Sequence, residues 1–406
     1  MFTIYAASVE KTRMGEQMEA LFGYKRADGR FGIRNHLLVI PTVVCANVVV
    51  DHLIRRFGDR IVGVSHPYGC TFDYVSNNEL CDTLVGFSTN PNVGAVLLVS
   101  LGCETVDYNS VFERIKAINP LTAHVVIQDS GGIQKTVAKA IPVIEDFIEQ
   151  MRKIERAPMS LSDLIVGTQC GASDSYSGLT ANPALGMCID KVIDAGGTGI
   201  LAELTEFMGA EEEVYARCVD QKTRDKLAMY LAETERNLER VGTSDLNDIA
   251  PGNIAGGLTT LEEKSLGCIR KGGQTPVVEV VAHGQKPTRH GLVIMETSGQ
   301  DIESLVAIAA GGSQVTFFTT GRGSPTGSPI MPVIKVSSNT EMAERLEDII
   351  DLNAGTILDD EESLSDVAER MCELLVEVVN GKETKAEING SREFAIRRCG
   401  VGVCLL

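Results

Sequence analysis

The chain has 406 residues, 44% hydrophobic and 23% charged, with a formal net charge of −18, a composition ordinary for a globular protein long enough for two or three domains. That acidity speaks against nonspecific nucleic-acid binding, which needs clustered Lys and Arg to neutralise phosphates, and no apolar run reaches the length of a membrane span. The 11 cysteines stand singly along the chain, and the first residues lack a secretory-signal pattern, so free thiols in a reducing cytoplasm are expected.

In chain order, "HLLVIPTVVCANVVV" (36–50) reads as a buried apolar strand run interrupted by Pro41. "RIVGVSH", "GAVLLVSLGCE" and "HVVIQDSGG" follow, each a short β-branched run that ends in a small or polar loop. Between them, "YNSVFERIKAI" and "QKTVAKAIPVIEDFIEQMRKIE" suit helices. Strand, polar loop and helix in repetition predict a parallel α/β sheet whose strand-end loops gather at one edge. The charged stretch "EQMRKIERAPMSLSD" reads as a link to a second region. That region opens with "VGTQCGASDSYSGLTANPALG" (166–186), too polar and glycine-rich for the middle of a packed helix. An acidic helical segment at about 211–241 and several strand-plus-glycine-turn units follow. The expected architecture is α/β: an N-terminal extension (1–22), a parallel Rossmann-like sheet domain (23–156) and a second, Gly-rich α/β catalytic domain (157–406).

Several loops carry chemistry. "HPYGC" places His66 and Cys70 after a strand, and "LGCE" delivers Cys103 and Glu104. Cys45 and Cys170 sit at two further strand ends. Imidazole, thiolate and carboxylate suit a borderline metal such as iron(II) or zinc, while single cysteines serve equally well as small core hydrophobes. The Gly-rich "TTGRGSPTGSP" holds Arg322 among turns that could bind an anion; it matches no phosphate-binding motif, and tight turns explain most of its glycines. Lys264, Arg270 and Lys271 in "KSLGCIRKGG" could balance an acidic substrate, or could be cations at a helix C-terminus. Asp174, inside "CGASDSYSG", is a ligand, a base or a turn cap.

Read together, "GYKRADGRFGIRNHLLVIPTVVCANVV", "HPYGC", "GCE", "SGGIQKTV", "QCGASDSYSGLTANPALG", "PGNIAGGLTTLEEKSLG", "KGG" and "FTTGRGSPTG" are similar, in this order, to the motifs of altronate and galactarate dehydratases. The resemblance runs from about Gly23 to about Gly355. It implies that residues 166–186 form an active-site wall against which a short polyhydroxylated acid lies. It also implies a divalent metal, iron(II) or manganese(II), with ligands drawn from Cys45, His66, Cys70, Cys103, Glu104 and Cys170; an iron–sulfur cluster is the alternative. His66, Asp174 and Lys271 are then the candidates for proton transfer, and Arg34, Asn182 and Arg322 for holding the substrate. The implied reaction is β-elimination from a small 2-hydroxy acid. Dehydration of a sugar acid to a 2-keto-3-deoxy acid comes first, then release of sulfite and pyruvate from (2R)-3-sulfolactate, then a non-catalytic partner that kept the fold. Full-length family enzymes carry a small N-terminal domain before the "GYKRADGR" motif, and split relatives such as sulfolactate sulfo-lyase supply it as a separate subunit. The chain is therefore expected to act as the large subunit of a split enzyme, in an oligomer. Two departures from some sugar-acid dehydratases, "GSPIMP" for "GCKPAP" and "DLNAG" for "DINCG", remove cysteines at Ser328 and Ala354.

Overall fold

A computed structural model describes residues 20–70, 73–240 and 249–397. Of the expected extension 1–22, only the last three residues fall inside this range, and two of them open β1 (Leu21–Lys25). β1 pairs antiparallel with β2 (Phe31–Gly32). Next come β3 (His36–Pro41), β4 (Val62–Gly63), β5 (Val93–Ser100) and β6 (Thr122–Val126), forming a parallel sheet in the order β4-β3-β5-β6. β5, "VGAVLLVS", is buried at every position, as a strand covered on both faces must be.

The long run expected as strand at 36–50 is divided. β3 stops at Pro41, and Asn47–Phe57 is a helix that buries Val49, Val50, Leu53 and Phe57. Those positions share one helical face, so the 3.6-residue period outweighs β-branched composition here. The charged link is not wholly a linker either: β7 (Arg156–Met159) lies within it and pairs antiparallel with β1.

The second sheet contains β8 (Ile165–Cys170), β9 (Thr198–Leu201), β10 (Val277–Val281), β11 (Gly291–Met295), β12 (Val315–Thr320), β13 (Val333–Ser337) and β14 (Leu352–Asn353). All pairings are parallel, in the order β10-β11-β9-β8-β12-β13-β14. The α/β expectation therefore holds for both sheets. Strand order reverses between β3 and β5 in the first sheet and between β8 and β12 in the second. In open parallel sheets ligands bind at the strand C-termini beside such reversals.

The two units share one apolar layer. Leu38, Ile40, Val96 and Leu98 of the first sheet belong to the same buried cluster as Ile200, Val293, Phe318 and the helix Asp301–Ala310. Buried amides fix the junction: Asn90 Nδ2 donates to the carbonyls of Ala309 (2.7 Å) and Ser313 (2.8 Å), and Asn92 Nδ2 to those of Gln314 (2.8 Å) and Ile330 (3.0 Å). A buried amide left unpaired would be costly, so these bonds specify one relative placement. Among the described residues no helix is long and apolar enough to cross a membrane.

Candidate functional site

At the first reversal the strand ends deliver most of the expected loop residues, but among the described residues no three of them bring donor atoms within 4.8 Å of one another. Glu104 accepts from the Thr42 hydroxyl (2.7 Å) and from the N–H groups of Leu101 (3.1 Å) and Gly102 (2.6 Å). The His66 ring is buried, with Nε2 2.8 Å from the Pro41 carbonyl and Nδ1 accepting from the Tyr68 N–H at 3.2 Å. Both ring nitrogens are thereby engaged, and burial pushes the imidazole pKa below its ordinary value despite the Pro41 contact. Cys45, Cys70 and Cys103 are exposed, and Cys103 Sγ accepts from Gln128 Nε2 (3.1 Å).

The second reversal is built differently. Cys170 is the last residue of β8. After β9 the chain turns through Glu203, which holds a left-handed backbone (φ 66°), and enters a short 3₁₀ turn carrying Glu206. A non-glycine residue in that conformation is strained, a pattern that recurs at functional sites. From the other side comes the helix Leu261–Cys268, N-capped by the Thr260 hydroxyl, continued by the 3₁₀ turn Ile269–Gly272. Positions 264, 268 and 271 follow helical spacing, so Lys264, Cys268 and Lys271 are presented on one face.

These groups converge in a buried cluster. Cys170 Sγ lies 2.9 and 3.1 Å from the two carboxylate oxygens of Glu206 and 3.6 Å from Cys268 Sγ. Lys271 Nζ donates to Glu206 Oε2 (2.6 Å) and Cys170 Sγ (2.9 Å) and stands 3.6 Å from Glu203 Oε2. Lys264 Nζ reaches Glu206 Oε1 at 3.1 Å. Buried charges are costly unless paired in this way. Burial alone would raise the Glu206 pKa, but the two ammonium groups hold it well below the carboxylate range. Burial would lower Lys271, yet the surrounding sulfur and carboxylate groups hold it above its usual range. Glu203 goes the other way, pushed up by burial and by the charge on Glu206, towards its neutral form. The thiols divide one hydrogen bond: Cys170 is raised and Cys268 lowered.

A cavity of about 270 Å³ opens beside the cluster between residues 173–182 and 258–270. Lys264 and Cys268 belong to both cavity lining and cluster, and Arg270 adds a second cation to the lining. The expected active-site wall is thus one side of this cavity. Its two sides meet at Gly178 and Gly267, where a β-carbon on Gly178 would lie 2.9 Å from the Gly267 Cα. Only backbone fits there. Asn182 ties the walls together, donating from Nδ2 to the Gly267 carbonyl (3.1 Å) and accepting at Oδ1 from the Thr319 hydroxyl (2.7 Å). Asp174, also in the lining, accepts from the Ser177 N–H (2.8 Å), the Ser177 hydroxyl (2.7 Å), the Ser338 hydroxyl (2.8 Å) and Asn339 Nδ2 (2.8 Å). It clips its own loop after β8 to the loop after β13.

Arg34 lies elsewhere. Its guanidinium is bidentate to Glu387 (2.7 and 2.9 Å) and donates to the carbonyls of Ile33, Val378 and Lys382. All five donors are engaged in joining chain segments. Arg322 stands exposed in the loop after β12, and its backbone N–H bonds the Thr320 hydroxyl.

Among the described residues, only Cys170, Glu206 and Cys268 bring three possible metal donors within 4.8 Å of one another. Two sulfurs and a carboxylate suit a borderline cation, and of iron(II) and manganese(II) they suit iron better. Sequence reading named Cys170 and Lys271 but missed Glu203, Glu206 and Cys268. The 264/268/271 spacing was the available signal for Cys268. Nothing local distinguishes the two glutamates from solvated surface residues.

Comparison with known proteins shows the family. Residues 23–152 match the family model of the D-galactarate dehydratase/altronate hydrolase second domain, and residues 161–402 that of the D-galactarate/altronate dehydratase C-terminal domain. Altronate dehydratase of Escherichia coli (strain K12) is 35% identical over 390 residues, covering 93% of this chain and 77% of the relative. The (2R)-sulfolactate sulfo-lyase subunit beta of Chromohalobacter salexigens is 34% identical over 380 residues, covering 93% and 96%. Galactarate dehydratase (L-threo-forming) of E. coli (strain K12) is 33% identical over 380 residues, covering 89% and 73%.

Proposed function

The chain belongs to the altronate/galactarate dehydratase family, and from that membership we propose that it is a lyase removing water from a small 2-hydroxy sugar acid in the cavity beside Cys170. The observation that carries the reading is the sharing of Lys264 and Cys268 between an open cavity and a buried charged cluster. Substrate can therefore reach groups that are already desolvated and held in place, which is what a charge-developing transition state needs.

Removing a proton α to a carboxylate places a second negative charge beside the first. Lys264 and Arg270 at the cavity lining are placed to bind the acid group, and Lys271, bonded to Glu206 and Cys170, sets a further cation at the deeper end. Asn182 and Asp174 keep the walls in register, so they position rather than react. A divalent metal held by Cys170, Glu206 and Cys268 would supply Lewis-acid stabilisation of the developing charge.

A second reading, sulfite elimination from sulfolactate, is supported by the 34% identity to the sulfo-lyase subunit beta over 93% of this chain. Under the second reading a partner subunit joins this chain, because that relative is one subunit of its enzyme. The test is to supply altronate, galactarate and (2R)-3-sulfolactate to the metal-loaded chain, alone and with such a subunit, and to follow 2-keto acid and sulfite. Keto acid without sulfite from a sugar acid supports dehydration. Sulfite moves the assignment to the second reading, and no product from any of the three removes both.

A further inference from the structure

The three candidate metal donors do not surround an open space. The ammonium of Lys271 already bonds two of them, at 2.6 Å from Glu206 and 2.9 Å from Cys170, and it is sealed from solvent. A metal ion bonded to sulfur and oxygen sits about 2.0–2.3 Å from each. An ion serving Cys170, Glu206 and Cys268, whose donor atoms all lie within 4.8 Å, would therefore stand within a few ångströms of that ammonium. Two cations so placed in a buried site repel strongly. The lysine does have another anchor: Glu203 Oε2 lies 3.6 Å away, on the turn whose backbone is left-handed.

We propose that Lys271 is the resident cation of this site, and that a divalent metal ion takes Cys170, Glu206 and Cys268 only by displacing its ammonium towards Glu203. The side chain then answers to the occupancy of the site: bound across the donors when no metal is present, released beside the cavity when one is. This deepens the lyase reading, which names the same cluster as the reacting centre.

The probe is cobalt(II), titrated anaerobically into wild type and into Lys271→Met and Lys271→Gln variants, reading the thiolate-to-cobalt absorption band. Thermal unfolding identifies which variants are folded, and the two replacements differ in polarity so that a packing defect in one does not decide the result. Removing the competing ammonium should tighten cobalt binding at least tenfold in both, and Cys170→Ser should weaken the band in every background. Unchanged or weaker binding in the folded variants overturns the proposal, because Lys271 would then assist the metal instead of excluding it. So does the absence of a thiolate band in wild type and variants alike. No turnover is measured, so a chain that titrates as stated but eliminates nothing sinks the lyase reading and leaves this one standing.

Discussion

The β3–β5 edge and the β8–β12 edge are the same topological feature, and the chain furnishes both with cysteine and carboxylate. At the first, Glu104 is saturated by one hydroxyl and two backbone N–H groups, and three thiols face solvent. At the second, two thiols, two carboxylates and the Lys271 ammonium are buried against one another, with Lys264 at the margin. A site is marked less by which residues a loop carries than by whether desolvated charges compensate each other there.

That contrast can be broken most directly at Glu206. Glu206→Gln leaves the Lys271 ammonium buried without its main partner, so unfolding free energy should fall by roughly 3–5 kcal/mol, with turnover lost. A loss under about 1 kcal/mol in chemical denaturation, the range of an exposed ion pair, would show that the pairing does not operate.

Lys335 sharpens the comparison, because it is a buried cation of the same sheet without a paired carboxylate. Its Nζ makes no hydrogen bond among the described residues and lies 3.2 Å from the centroid of the Phe318 ring. Burial pulls its pKa from 10.5 down to about 7. Between those values the unfolded chain binds a proton that the folded chain does not, so stability should rise as pH increases from about 7 towards 10, by on the order of 3 kcal/mol. Below about 7 both forms are protonated and the whole penalty is carried. Lys335→Met should flatten this part of the stability–pH curve, and an unchanged slope would refute the assignment.

Asp174→Asn should cost about 1.5–3 kcal/mol, since several hydrogen bonds to a charged acceptor are weakened together, and should raise KM more than it lowers kcat if Asp174 only shapes the wall. A selective fall in kcat would instead place it in proton transfer. The smallest effect is expected at the first edge: Cys45→Ser and Cys103→Ser should change stability by no more than about 0.5 kcal/mol. A larger loss in thermal unfolding, together with loss of bound metal, would move the metal centre to the first sheet.

Much of the architecture was legible in the sequence because parallel strands buried on both faces leave continuous apolar runs, as in β5 and β12. The helix Asn47–Phe57 was not, because its valines read as strand until the spacing of 49, 50, 53 and 57 is weighed. The wall at 166–186 was visible from its glycines and small hydroxyl residues. The buried cluster was only half visible. Cys170 and Lys271 stand in conspicuous motifs, whereas Glu203 and Glu206 follow β9 in "LAELTEF", a phrase that could belong to any exposed turn. What sets them apart is burial against residues some sixty positions away, and no local pattern encodes that.

The backbone contact of Gly178 with Gly267 bears on how this cavity can change over evolutionary time. Where two main chains touch, no side chain remains to be trimmed, and any replacement at either position wedges the walls apart. At that seam the breadth of the cleft is set by the main chain. New ligands are then more readily accommodated by redistributing charge around the rim than by carving room, so a lineage built on this frame would diversify among compounds of similar girth and different polarity.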